Sequence, residues 1–504
     1  MRTEKGKYVS IFSILLITVL LTVFESDFLF RLEEQNLFLH TPLFFQQHMM
    51  KAGGLLTWTG CYLTQFFYYP MLGTGILCLL WVLFMWLCKR AFLLQNIYLT
   101  LIPVACLVLT ITTLGYWVFY LKLPGHAFCA TIGSIMTVAL VWGYRVLPRR
   151  YHLPSVYIVF TAGAGYLLIG FYALMATILI AIIAWCKEKT LWNDSILAII
   201  QVIAWPLMDY FFYFHGTNIV NIYWAALPVF VHLGERYFAY NIPYIILFAS
   251  MILMALAPSI KKTKWVNRTI ILVVTLSLFI FWNRDDNLHR ELSMMRSIED
   301  GQWEKVLETA KGVKGEPTRA MCMMQNLALY RLGRMGNEMF KYPNGAKRPN
   351  APFPIRTVHT QGKLLYLHYG VPNYCHRWCV EDGVEYGWSA EKLKLMAKCA
   401  LLNKEPVAAM RFVNLLSKTD FHKAWAKQYK EYIQNPALVY RDKELKPILP
   451  LLHQDNFLTG DQSQLEMFLV EQILSSPIEN REQEELARLT QYYYRNNRFK
   501  IVEQ

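Results

Sequence analysis

Nine long apolar runs divide the first 282 residues: Val9–Phe24, Tyr69–Cys88, Ile97–Val118, Ala127–Leu147, Ser155–Ile169, Tyr172–Cys186, Ile196–Phe214, Ile242–Leu256 and Val266–Trp282. A helix needs about 20 apolar residues to cross a hydrocarbon core of about 30 Å, and these runs lie near that length. The fifth and sixth share one stretch, so eight or ten spans fit the pattern as well. After Trp282 the rhythm changes. Short amphipathic helices in pairs replace the long runs, and turns recur around Gly333, Gly370 and Asn403, at intervals of 37 and 33 residues. A glycine or asparagine at a helix end, a polar turn and a new apolar stripe mark a helical hairpin. The pattern predicts an all-α chain with a polytopic α-helical membrane domain over residues 1–282. An α-helical hairpin-repeat soluble domain follows over 283–504 and is expected to fold on its own.

Composition sharpens this division. With 55% apolar and 17% charged residues, the chain lies outside the soluble balance of roughly 45–50% and roughly 25%. Residues 1–282 hold only 9 of the 36 acidic residues and 18 of the 50 basic ones. A simple soluble enzyme, a disordered protein and a disulfide scaffold are all excluded. The net charge of +14 does not point to nucleic acid, because much of the basic excess stands at the ends of apolar runs.

Those basic residues set the expected orientation. Arg2, Lys5 and Lys7 precede the first run, Lys89 and Arg90 follow the second, and Arg145, Arg149 and Arg150 follow the fourth. Lys187 and Lys189 follow the sixth, and Lys261, Lys262, Lys264 and Arg268 lie between the eighth and ninth. All five clusters fall on one side if the amino terminus is cytoplasmic. Phe24-Glu25-Ser26-Asp27 offers no small-x-small cleavage site, so the first run reads as an uncleaved anchor. The expected location is a bacterial inner membrane, multi-pass, with residues 283–504 in the periplasm.

In the exported half, Asn326–Arg334 resembles the first helix of a tetratricopeptide repeat, and Asp300–Leu307 resembles the second helix of a preceding one. The resemblance implies a stack of hairpins with a concave surface for a protein or glycan partner. Cys375 and Cys379 stand where such repeats use small alanines. At i and i+4 they share a helix face, which reads first as buried packing, with a disulfide or a metal site as alternatives. Residues 283–504 contain no nucleophile elbow, phosphate loop or zinc-protease pattern.

The chemistry is expected at the outer end of the membrane half, where polar residues cluster. An acidic outer loop over 25–51 holds Glu25, Asp27, Arg31, Glu33, Glu34 and Lys51, and an aromatic interface helix over 52–67 follows it. Asp209 and Arg236 fall on the same side. A first span, an outer loop with paired acids, interface helices, many spans and an exported domain together resemble the GT-C glycosyltransferases. That resemblance implies Asp27 and Glu25 as the catalytic acids, with Glu33 or Glu34 as substitutes, working as a general base or on a divalent metal. It also implies a polyprenyl-phosphate sugar donor, with Arg236, Arg31, Glu34, Asp209 and Lys51 binding substrate. The chain as a whole resembles a family of Bacteroidota polytopic membrane proteins with repeat-like carboxyl-terminal domains, for which no activity is implied.

Other readings stand beside this one. The acids and Arg31 could be solvated i, i+3 and i, i+4 pairs in a wet headgroup layer. Asp209, one turn after Trp205-Pro206, could bond the backbone that a kinked helix frees. A scaffold that binds protein or glycan partners in the cell envelope needs only the anchor and the repeats. A transporter needs charge near the midplane in two related halves, and neither feature stands out. The membrane lipids are partners on every reading.

The orientation is directly testable. A reporter active only outside the cytoplasm, fused after Gln504, should be active, and activity from a fusion after Lys264 instead would reverse the assignment.

Overall fold

The computed structural model describes residues 2–148, 152–187, 192–228, 239–256, 263–345, 347–351, 355–452 and 465–496. Arg236 lies outside the described residues, as do Arg149, Arg150, Lys189, Lys261 and Lys262 of the basic clusters. The described residues are helical, with one isolated bridge between Thr318 and Lys347 and no strand among them. Two compact units emerge. The first joins Met1–Leu114 to Leu121–Asn283, and the second joins Gly115–Tyr120 to Arg284–Gln504.

The first unit contains α1 (Arg2–Phe24), α2 (Ser26–Glu34), α3 (Pro42–Met49), α4 (Gly54–Thr64), α5 (Pro70–Phe92) and α6 (Leu101–Thr112). It continues with α7 (His126–Val146), α8 (Leu153–Ile169), α9 (Phe171–Lys187), α10 (Trp192–Phe212), α11 (Ile242–Leu256) and α12 (Lys264–Phe281). Helices occupy all nine apolar runs, but six are long and apolar enough to cross a membrane by length and composition: α1, α5, α7, α10, α11 and α12. The runs at α6, α8 and α9 form shorter apolar helices. α5 packs on α7, α7 on α9, α9 on α8 and α10, and α6 on α11 and α12. This packing buries Trp81, Phe84, Phe128 and Tyr172.

The third run departs most from its pattern. Its helix stops at Thr112 instead of reaching Val118, and Gly115 takes φ +54°, a left-handed conformation that ends helices. A 3-10 turn over Gly115–Phe119 follows and belongs to the second unit. An apolar stretch can be buried by a soluble core as well as by lipid, so hydropathy alone does not separate the two.

The second unit continues with α13 (Asp286–Glu299), α14 (Trp303–Lys311), α15 (Arg319–Arg331), α16 (Met335–Glu338), α17 (Gly362–His368) and α18 (Pro372–Tyr386). α19 (Ala390–Leu402), α20 (Pro406–Leu416), α21 (Lys423–Gln434), α22 (Leu465–Ser475) and α23 (Arg481–Asn496) complete it. α13 packs on α14 and α14 on α15; from α17 to α21 each helix packs on the next, and α22 pairs with α23. Gly333 and Gly370 take φ +66° and +83° at their turns, where a side chain would be strained. Cys375, Cys379 and Cys399 are fully buried free thiols at the α18–α19 contact.

One buried carboxylate ties this unit to its stray segment. Glu291 of α13 accepts the Tyr116 hydroxyl at 2.8 Å and the Gln361 amide at 2.6 Å, and the Thr318 hydroxyl donates to its other oxygen. Residues 283–504 expressed alone would therefore lack one of these donors. Burial pushes the Glu291 carboxyl up from 4.5 to about 7, against the pull of its donors. Between those two values the folded unit holds a proton that the unfolded chain has released, so this group's contribution to stability is full below about pH 4.5 and is lost as pH rises towards 7. The full effect is up to about 3 kcal/mol. Hydrogen exchange of α13 in the intact chain, corrected for intrinsic rates, should show protection declining over this range. Glu291→Gln should flatten the decline, and a flat profile in the unaltered protein would remove the claim.

Candidate functional site

The acidic loop begins where α1 ends. Glu25 has φ −112° and ψ 16°, which breaks the helix for one residue before α2 starts at Ser26. α2 packs on α5 and on the 3-10 turn Gln65–Tyr68, with the Phe30 and Tyr68 rings 6.1 Å apart. The Asn36 amide donates to the Cys61 carbonyl oxygen at 2.9 Å and fixes the loop to α4. Thr41 caps α3 through the Phe44 N–H at 3.2 Å. Phe38 contacts the rings of Phe44, Trp58 and Tyr62, so aromatic rings cluster between the acidic loop and α4.

Four charged side chains of this stretch are almost wholly buried. Glu25 is 4% exposed, Arg31 1%, Glu33 3% and Glu34 2%. Solvated surface pairs are thus ruled out for these residues. Burying an ion costs several kcal/mol unless a partner and hydrogen bonds offset the loss of water. For Glu25 one partner is the indole N–H of Trp282, which donates at 2.6 Å from the end of α12. Asp27, in the first turn of α2, is half-buried. A carboxylate is favoured there by the positive end of the helix dipole.

The remaining predicted residues do not all join this group. Lys51 is exposed and neighbours His48, whose Nδ1 lies 3.0 Å from the Thr57 hydroxyl. Burial, aided by the Lys51 ammonium, pushes His48 down to about 4. Asp209 is 8% exposed, and its Oδ2 has no hydrogen-bond partner among the described residues. Its side chain makes no hydrogen bond to the helix backbone around Pro206; in the turn before it, the Tyr223 hydroxyl donates to the Ile203 carbonyl oxygen at 3.0 Å. Asp209 also forms no ion pair with Arg31 or Lys51. Gly53, with φ +78°, starts α4 in a space where a Cβ would meet Ala226 Cβ at 2.5 Å, so the α4 start is closely packed against 219–226.

A family model described as a family of unknown function, DUF6057, matches residues 5–488. The chain belongs to that family. No curated protein and no solved structure matches it. The site of this DUF6057 protein must therefore be read from its own residues. Among the described residues, no group of three or more His, Cys, Asp or Glu side chains is arranged to hold a metal ion. The described donor set does not fit a divalent metal.

Sequence reasoning missed Trp282, because a contact spanning 257 positions leaves no periodic trace. The contact predicts a cost. Trp282→Phe keeps most of the apolar bulk but leaves the buried Glu25 one donor short, worth about 1–3 kcal/mol. Thermal melting of the intact protein in detergent should fall measurably, and an unchanged midpoint would show that the bond contributes nothing.

Proposed function

We propose that the first unit is a membrane-embedded glycosyltransferase of GT-C type, using a polyprenyl-phosphate-linked sugar donor at the outer face. The observation that carries this reading is the burial of Glu25, Arg31, Glu33 and Glu34 within ten residues of one another. A mere anchor has no need to desolvate four charges, whereas a site for a charged donor uses fixed ones. Asp27 takes the proton of an acceptor hydroxyl. The hydroxyl oxygen bonds to the anomeric carbon, the bond from that carbon to the donor phosphate breaks, and the phosphate leaves with the electron pair. Arg31 supplies the buried cation that receives its charge, with Arg236 as a further candidate. Glu25, held by Trp282, positions the start of α2 and so Asp27. The amino terminus is cytoplasmic and the second unit periplasmic on this reading. We read that unit as a degenerate hairpin-repeat domain for a protein or glycan partner, which the neighbour-on-neighbour packing of α17 to α21 supports.

The test is complementation of a deletion strain's surface-glycan profile, with protein level checked in the membrane fraction. Removing a general base should slow transfer about 10²–10⁴-fold. Asp27→Asn preserves size, so it tests charge rather than packing. Full restoration by Asp27→Asn, by Glu25→Gln and by the double variant would end the catalytic assignment. A deletion that leaves every surface glycan unchanged would replace the transferase with an envelope scaffold.

A further inference from the structure

A second polar centre lies wholly within the second unit. His359 sits in a one-turn 3-10 helix over Thr357–His359, and its Nδ1 lies 2.6 Å from Asp382 Oδ1 on α18. Lys363 donates to the other Asp382 oxygen and, at 2.7 Å, to the His359 carbonyl oxygen. The Asp382 and Lys363 side chains are 3% and 1% exposed. Burial alone would raise the Asp382 carboxyl, but the Lys363 ammonium and the His359 ring hold it below the usual carboxylate range. Asp382 is therefore ionised, so the proton of the His359–Asp382 bond resides on Nδ1. In the neutral ring that leaves Nε2 as a lone-pair acceptor.

This acceptor faces solvent. Nε2 has no hydrogen-bond partner among the described residues, yet it is not sealed from solvent, and the side chain is 13% exposed. Three aromatic rings wall the imidazole, with centroids 5.6 Å (Tyr120), 5.3 Å (Trp378) and 5.8 Å (Tyr386) away, all near edge-on. Charges of both signs surround it: Lys363 faces Asp382, Glu391 and Lys392 are buried beside that pair with burial lowering Lys392 to about 8, and Arg356 and Glu385 act on the flanking rings. An acceptor nitrogen among aromatic rings, with charges of both signs around it, suits a donor hydroxyl on a neutral ring-shaped ligand better than an anion.

We propose that His359 Nε2, walled by Tyr120, Trp378 and Tyr386, is the hydrogen-bond acceptor of a sugar-binding site on the second unit. The site takes a neutral saccharide, with a hydroxyl donating to Nε2 and the sugar's C–H face against aromatic carbon. Asp382 and Lys363 are positioning residues that fix the tautomer and the ring. This goes beyond the transfer reading and rests on different atoms, so its failure leaves the Asp27 test untouched.

Carbethoxylation of histidines by diethyl pyrocarbonate reads the site directly, because the reagent needs an unprotonated, accessible nitrogen. The intact chain is held in a zwitterionic detergent without a sugar headgroup, at mildly alkaline pH, and each histidine is followed by peptide mass spectrometry. His359 should react well ahead of the buried His126 and His368. Chitotriose, maltotriose or mannotriose, at about ten times its Kd, should slow His359 about tenfold, since only the free fraction reacts. Inorganic phosphate should not slow it. Tyr120→Ala should keep the reactivity and lose the protection. A His359 no faster than the buried histidines, no slowing by any of the three sugars up to their solubility, slowing by phosphate instead, or protection that survives Tyr120→Ala would each overturn the proposal.

Discussion

Glu291 is the residue on which the organisation of the second unit depends. Three donors from distant stretches converge on one buried carboxylate: Tyr116 from the segment after α6, Thr318 from the cap of α15, and Gln361 from the start of α17. Leaving a buried carboxylate without partners would cost several kcal/mol, so each donor is held by the need of the other groups. The consequence reaches the histidine site by two routes. Gln361 is two residues from His359, and Tyr116 is one turn from Tyr120, whose hydroxyl accepts the Arg356 N–H at 3.2 Å. The carboxylate thus fixes both the residue that offers the acceptor nitrogen and one of the rings that wall it.

The two units treat buried charge in a common way. Glu25 near the end of α1 and Asp382 on α18 are both nearly inaccessible, and both are held by a named donor from another element. Such arrangements are poor sources of stability, because desolvation offsets most of the attraction. They are good sources of position. A fully paired carboxylate cannot rotate without breaking its bonds, so it holds its neighbours to one geometry. Asp209 is the contrast: its Oδ2 is buried without a hydrogen-bond partner among the described residues.

The helices were legible because apolar periodicity is a local property. All nine runs of the first unit became helices, and the turns at Gly333, Gly370 and Asn403 fell where the hairpin pattern sets them. Span length was less legible. The run from Ile97 to Val118 reads as one apolar stretch, yet Thr112 ends its helix and Tyr116 donates to the buried Glu291 carboxylate of the second unit. Nothing in hydropathy distinguishes a tyrosine bound for lipid from one bound for Glu291. The acids after α1 were legible as a cluster, but their burial was not, since Trp282 lies at the far end of the unit. His359 and Asp382, 23 residues apart on different elements, carried no motif spacing and passed unnoticed.

Why a hexapeptide between two apolar helices should join the second unit has a local answer. The N–H of Asn283 donates to the carbonyl oxygen of Thr112 at 3.0 Å, just where α6 ends. The next residue along from Asn283 begins the main part of the second unit, and three residues along from Thr112 begins its stray segment. Both departures from the first unit therefore start one hydrogen bond apart. One residue back, Trp282 donates to Glu25 at the junction of α1 and α2. That pair of adjacent residues fixes the end of α12 to the end of α6 on one side and to the acidic loop on the other. The short tether this leaves to Tyr116 and to Glu291 keeps the loop-closure entropy of their contact small. A bond worth about 1 kcal/mol in isolation can then decide which unit a segment belongs to.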